Sequence, residues 1–231
     1  MTLPAERFTL AGYWGSRKET AERCEERLLG FLRRIGDVSP LLQRWYRKGS
    51  KRNPKEFVLQ NGSDEVLRSL LRGVNRRDVD RVPIPELGYS FSAWNGAQDD
   101  NESASLSVHC GGDSHDVPNS CVLSLPYGGE RAGQILSVET LRQLVEVLID
   151  QWDPDRAVIQ SRRDDLEADW IIYFAVSPAS VPSLSRPSTT RPFGKGALVA
   201  VSDQPFSVTD AALFARAKQV ADALATLKSN F

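Results

Sequence analysis

Three consecutive stretches of this chain alternate apolar and polar residues with a period of two. Leu87, Tyr89, Phe91 and Ala93 alternate with Gly88, Ser90, Ser92 and Trp94; Leu106, Val108 and Cys110 with Ser105, Ser107 and His109; and Cys121, Leu123 and Leu125 with Val122 and Ser124. Successive side chains of a strand point to opposite faces, so each run reads as a strand with one covered side and one side in water. Polar loops separate the runs, which predicts an antiparallel meander. Such a meander needs helices to cover its apolar side.

The helices are legible from a period near 3.6. Ala21, Cys24, Leu28, Phe31, Leu32 and Ile35 form a stripe at steps of three and four. They follow Ser16-Arg17-Lys18-Glu19, which reads as a capping box, and stop at Gly36, giving a helix over Glu19–Ile35. A second long helix, Ser137–Trp152, carries Leu141, Leu144, Val145, Leu148 and Ile149 and ends at Asp153-Pro154. A third, Thr209–Lys228, sets Leu213, Ala217, Val220, Ala221, Leu224 and Leu227 on one side. Shorter helices are expected from Ser39-Pro40, presenting Leu41, Leu42, Trp45 and Tyr46, and from Ser63-Asp64-Glu65. Further strands are expected at Arg7–Trp14, Ala157–Gln160, Asp169–Val176 and Ala197–Val201, with a Pro/Ser-rich surface loop over 177–194. Strands and helices come in blocks, so the fold class is α+β: a mainly antiparallel central sheet with packed helices, one domain over 1–231, with Trp14, Phe91 and Trp170 in its core.

Hydrophobic residues make up 41% and charged residues 26%, as in globular proteins. The longest apolar run, Trp170 to Val176, is far too short for a membrane span, so no membrane partner is expected. Cys24, Cys110 and Cys121 lack paired-ligand spacing, and Met1 to Arg7 lacks the basic start and apolar core of a signal peptide. Reduced thiols and a cytoplasmic location are the expectation. The net charge is −1, unevenly spread: residues 1–85 hold 18 Lys+Arg against 11 Asp+Glu, and residues 86–231 hold 11 against 19. That asymmetry points to an interaction surface, and the balance gives no global basic character for direct nucleic-acid binding.

Catalytic chemistry has one candidate segment, His109 to Asp116. An enzyme would use Cys110 as nucleophile, or His109, His115 and Asp116 as metal ligands. Neighbours on a strand diverge, however, so Cys110 goes inward with Leu106 and Val108 as a small hydrophobe. No serine-hydrolase, phosphate-loop or zinc-helix motif occurs. The run Asp164-Asp165-Leu166-Glu167-Ala168-Asp169 lacks the glycine and distal glutamate of a calcium loop and reads as a solvated loop before a buried strand. Arg44, Arg47, Lys48, Lys51, Arg52 and Lys55 beside Trp45 and Tyr46 could stack bases, but both aromatics also fit a helix's apolar face. The expectation is a non-enzyme with no catalytic residues, no metal and no cofactor.

A set of motifs resembles a known family. Gly12-Tyr13-Trp14-Gly15-Ser16-Arg17-x-Glu19 is followed by Cys24-Glu25-Glu26-Arg27-Leu28 and Pro40-Leu41-Leu42-x-x-Trp45-Tyr46-x-x-Gly49. Then come Glu86-Leu87-Gly88-Tyr89-Ser90-Phe91-Ser92-x-Trp94-Asn95-Gly96, Pro118-Asn119-Ser120-Cys121-Val122-Leu123-x-Leu125-Pro126, Trp152-Asp153-Pro154-Asp155 and Gly196-Ala197-Leu198-Val199 through Phe206. In order and spacing these resemble the immunity protein 52 family of bacterial polymorphic toxin systems. The resemblance implies an immunity protein, encoded beside its toxin, that neutralises the toxin by binding it. The usual toxin carries a nuclease domain of restriction-endonuclease fold. Trp14, Gly15, Arg17, Glu19, Trp45, Tyr46, Trp94, Asn95 and Gly96 are the motif residues carried over. Such a toxin offers a basic groove, so the acidic loops Asp99, Asp100 and Glu102, and Asp164, Asp165 and Glu167, are the candidate partner-binding residues. The alternatives are a small hydrolase using His109, Cys110 and His115, and a non-inhibitory adaptor subunit of a secretion system.

Overall fold

The computed structural model describes residues 5–47, 56–57 and 64–228. Its strands are β1 (Arg7–Trp14), β2 (Trp45–Arg47), β3 (Glu56–Phe57), β4 (Tyr89–Trp94), β5 (Ser105–Cys110), β6 (Asn119–Ser124), β7 (Arg156–Arg163), β8 (Leu166–Phe174), β9 (Thr189–Phe193) and β10 (Gly196–Ala200). Its helices are α1 (Ala21–Val38), α2 (Asp64–Arg72), α3 (Gly129–Ile135), α4 (Val138–Trp152), α5 (Ala211–Ala223) and α6 (Ala225–Lys228). The strands form one sheet in the order β3-β2-β4-β5-β6-β1-β7-β8-β10-β9. Every ladder is antiparallel, which makes the fold α+β. The predicted meander is β4-β5-β6.

β1 lies in the middle, between β6 and β7. Its alternation puts Phe8, Leu10 and Trp14 on the side covered by α1 and α4. Gly12 shares that side: a Cβ there would sit 2.5 Å from a methyl of Leu148, so α4 packs directly on the strand backbone. Trp14 stacks on Trp152 at 5.3 Å, and Phe31 of α1 meets the Trp152 ring edge-on at 6.4 Å. Trp14, Phe91 and Trp170 are all buried, as their patterns predict. α2 extends the same helical layer over β4.

Several local expectations fail, each for a tertiary reason. The short helix expected after Ser39 is a single 3-10 turn, Pro40–Leu42, followed by β2. Trp45 is fully buried with its indole N–H donating to the Leu42 carbonyl at 2.8 Å, and Tyr46 pairs with Trp94. Sheet pairing thus satisfies backbone groups that a one-turn helix would leave free. The N-cap of α1 is Thr20, whose hydroxyl accepts from the Arg23 N–H, and not Ser16 with Glu19. β8 begins at Leu166, so Asp164-Asp165 form a hairpin turn, with Asp164 in the left-handed region at φ 54°. The 177–194 segment is only partly loop: Thr189–Phe193 pairs with β10 as an edge strand, where Pro192 is tolerated. The last helix is interrupted at Leu224 into α5 and α6, and Ser137 caps α4 as expected. Ser63, Lys48, Lys51, Arg52 and Lys55 lie outside the described residues.

The reverse side of the sheet is covered unevenly. α5 lies over β7 and β8, with Ala217 and Ala221 beside Arg156, Gln160 and Asp169. Beyond β7 no described helix is seen packed on β1, β6, β5 and β4 on this side, where Ser90, Ser92, Ser107, Ser124 and Tyr13 are exposed while Ala11 is buried and Thr9, Val122 and His109 are half-buried.

Replacing Trp152 by Ala should cost about 3–5 kcal/mol, because it removes the stack under β1 and leaves a cavity between two helices and the sheet. Urea unfolding should show a lower midpoint at an unchanged slope.

Candidate functional site

The segment from His109 to Asp116 does not assemble a site. Cys110 is fully buried on the helical side, and His109 faces the reverse side with its Nδ1 3.4 Å from the Ser90 hydroxyl. His115 and Asp116 sit on the exposed turn that follows. A hydrogen bond with Cys24 and burial push the Cys110 thiol far up, and burial does the same to Cys121, so both stay protonated and unreactive. Burial lowers the His109 pKa, which keeps its ring neutral near pH 7. Among the described residues no group of three or more His, Cys, Asp or Glu could hold a metal, and no helix is long and apolar enough to cross a membrane.

The motif residues gather into two knots, one at each end of the sheet. At the end where β1 stops, Arg17 donates to the backbone oxygens of Trp152 at 2.7 Å and Asp153 at 3.3 Å. Arg27 donates to Gln151 O at 2.6 Å, so two guanidiniums cap the carboxyl end of α4, where the free carbonyls and helix dipole favour cations. Glu19, almost buried, pairs with Arg27 at 2.8 Å and Arg17 at 3.6 Å. The Arg17 guanidinium also lies 5.0 Å from the Trp14 ring. The Gly15 N–H donates to Asp155 at 2.9 Å, and Asn119 donates to the carbonyls of Gly15 and Gly112. Ser16, freed from capping, donates to Asp113 O.

At the opposite end the second knot ties β2 to β4. The Trp94 indole donates to Arg47 O at 3.1 Å, and Asn95 donates to Leu41 O and Glu102 O while accepting from the N–H of Ala97 and Ala104. Gly96 has φ 76°, and a Cβ there would lie 2.3 Å from the Tyr46 ring. Arg47 meets Glu65 at 3.4 Å, and Glu65 also receives Arg68 and Arg72. Trp45 is buried and Arg47 is engaged with Glu65, while Tyr46 stays half-buried beside Trp94 with the Arg44 guanidinium 5.7 Å from its ring.

Strand direction brings the two acidic trios to one end of the sheet. β4 ends and β5 begins beside Asp99, Asp100 and Glu102, and β7 ends and β8 begins at Asp164-Asp165; the registers Ser105↔Ser124, Thr9↔Ser124 and Arg7↔Arg162 put both turns on the same side. Asp99 and Asp100 are exposed and Glu102 is half-buried. Asp99 caps the Asp100–Glu102 turn by accepting from the Asn101 N–H at 2.9 Å. Glu167 stands on β8, not in a loop; it accepts from Gln160 at 3.0 Å and approaches Arg162 only to 4.0 Å. Sequence reasoning missed Glu6, whose carboxylate accepts from the Ser161 and Ser207 hydroxyls and the Val208 N–H, anchoring the chain before α5. It lies before the strand motif and carries no local signal.

Tyr173 lies close to the first knot, and burial, then Asp153 and Asp155, push its hydroxyl up to about 12. A proton held more tightly in the folded state stabilises fully below the unfolded pKa near 10, and that stabilisation is lost as pH rises towards about 12. Tyr173→Phe should therefore flatten the fall in unfolding free energy between pH 10 and 12. Replacing Arg17 by Ala should cost about 2 kcal/mol in chemical denaturation, since the carbonyls at the end of α4 lose a charged donor.

The family model described as immunity protein 52 matches residues 6–228. No curated protein matches the chain. Among solved structures, the Pseudomonas aeruginosa T6SS protein PA0821 is similar in fold, with a TM-score of 0.55 at 10% identity over 94% of this chain and 76% of that one.

Proposed function

The chain belongs to the immunity protein 52 family, and on that footing we propose that it is a non-enzymatic inhibitor that binds and neutralises a cognate bacterial toxin. In this reading the protein acts in the cytoplasm as a single domain, without cofactor or metal and without touching nucleic acid itself. The toxin is a nuclease with a restriction-endonuclease-like fold, and the acidic end of the sheet enters its substrate groove. The observation that carries this is the shared position of the two acidic trios. Four strand spacings of about 4.8 Å separate the middle of the β4–β5 connection from the middle of the β7–β8 hairpin, so the carboxylate clusters stand roughly 19 Å apart, far enough to engage separate cations on one partner. Carboxylates there take the place of phosphates against the toxin's Lys and Arg side chains.

The experiment replaces Asp99, Asp100 and Glu102, and separately Asp164, Asp165 and Glu167, with Ser. Each variant should associate with the toxin about tenfold more slowly at low salt, with the difference shrinking as salt screens the charges. Unchanged association rates together with full protection of toxin-expressing cells would end the phosphate-mimic reading.

A further inference from the structure

The reverse face of β4, β5, β6 and β1 has an unusual composition. The registers Ser92↔Ser107↔Val122↔Ala11, Trp94↔Ser105↔Ser124↔Thr9 and Ser90↔His109↔Ser120↔Tyr13 describe it row by row. None of these twelve positions is Asp, Glu, Lys or Arg, although charged residues make up 26% of the chain; the first charge on this side of β1 is Arg7, exposed at the end of the acidic trios with its guanidinium 5.1 Å over the Tyr127 ring. The water-facing side of an antiparallel sheet ordinarily carries charges, which keep sheets soluble and unassociated. Here small hydroxyl side chains fill the centre, and aromatic residues, Tyr13 and the Tyr46–Trp94 pair with rings 6.1 Å apart, stand at the borders. His109 is half-buried on this side: its Nδ1 lies 3.4 Å from the Ser90 hydroxyl, and its Nε2 is buried and takes no part in the exposed surface. Depletion of charge marks the centre of protein interfaces, and a Ser/Tyr surface of the kind antibody loops use gives adaptable hydrogen bonds at low entropic cost.

We propose that this open face is where the toxin docks, with the acidic end of the sheet forming one rim of the same contact. The proposal rests on the reading of the chain as a toxin-binding inhibitor. Four strands of about six residues make a face of roughly 20 Å on a side, enough for the centre of an interface of about 800 Å² per partner. The rim charge selects the occupant. Two copies of this chain packed face to face about an axis along the strands would bring the acidic trios together. About an axis across the strands, the trios would meet the other end, where Asp113, Asp116, Asp153 and Asp155 stand with Arg76, Arg77, Arg81 and Arg156, so that the charges there are mixed. A partner with basic flanks around an uncharged, hydrogen-bonding centre matches the acidic rim fully, whereas a second copy meets it with an acidic or a mixed-charge end.

Ser107 is exposed at the middle of the face, so its replacement leaves the core untouched. Against the purified toxin domain encoded beside this chain's gene, Ser107→Arg and Ser107→Glu should each weaken binding about a hundredfold, since either charge is desolvated unpaired in the contact. Ser107→Ala and Gln143→Arg, the latter on the outer side of α4, should bind as the wild type does. Tighter binding by Ser107→Glu would mean only long-range attraction acts there, and would overturn the proposal. If both charged variants bind and protect cells like the wild type, the face is wrong while the inhibitor reading stands. A wild-type protein that neither binds the toxin nor protects cells brings down both. A wild-type dimer split by Ser107→Arg with toxin binding intact would make a second copy the occupant and also overturn the proposal.

Discussion

The first strand is the middle strand, and the rest of the structure depends on how it is held there. β1 takes its neighbours from β6 and β7, more than a hundred residues further along the chain, so the sheet cannot close until most of the chain is in place. Two contacts make that long-range closure stable. Leu148 sits against the bare backbone of Gly12, and Trp152 stacks on Trp14. Arg17 and Arg27 then fasten the end of α4 to the turn that leaves β1. Strand, turn and helix are locked at one point, and the direction of every other strand follows from it.

That locking decides which surfaces remain free. With α1, α2 and α4 committed to one side of the sheet and α5 to half of the other, the remaining half-face has no helix over it among the described residues. Its hydroxyl pairs, such as Ser92 with Ser107 and Ser105 with Ser124, support the ladder weakly and leave the surface flat. Serines at the exposed positions Ser90, Ser92, Ser107 and Ser124 keep this side wettable, with Val122 and Ala11 drawn into partial or full burial between them. The same directionality puts the β4–β5 and β7–β8 turns at one end, so carboxylates from distant parts of the chain meet along one rim.

The motif residues divide the work differently from what the motif itself implies. Arg17, Glu19 and Gly15 cap and anchor, while Trp45, Trp94, Asn95 and Gly96 tie an edge strand to the meander. Their chemistry is spent inside the protein, on carbonyls and N–H groups that would otherwise be unsatisfied.

Local pattern was enough for β1, for the meander, for α1 and for α4, because a period of two or 3.6 over six or more residues records which side of an element is covered. The inward course of Cys110 and the lack of an assembled His109–Cys110–His115 site follow from the same alternation. What local pattern misassigned were segments decided by distant partners. Trp45 and Tyr46 join a strand because β4 is there to pair with them, and Thr189–Phe193 joins one because β10 has an open edge. The serines of the meander were visible as its polar side, but that they gather on one face beside β1 appears only when four strands are placed next to each other. Periodicity is a property of one segment with its own environment, whereas adjacency, strand direction and the identity of the uncovered half depend on contacts between segments far apart in sequence, which only the tertiary structure decides.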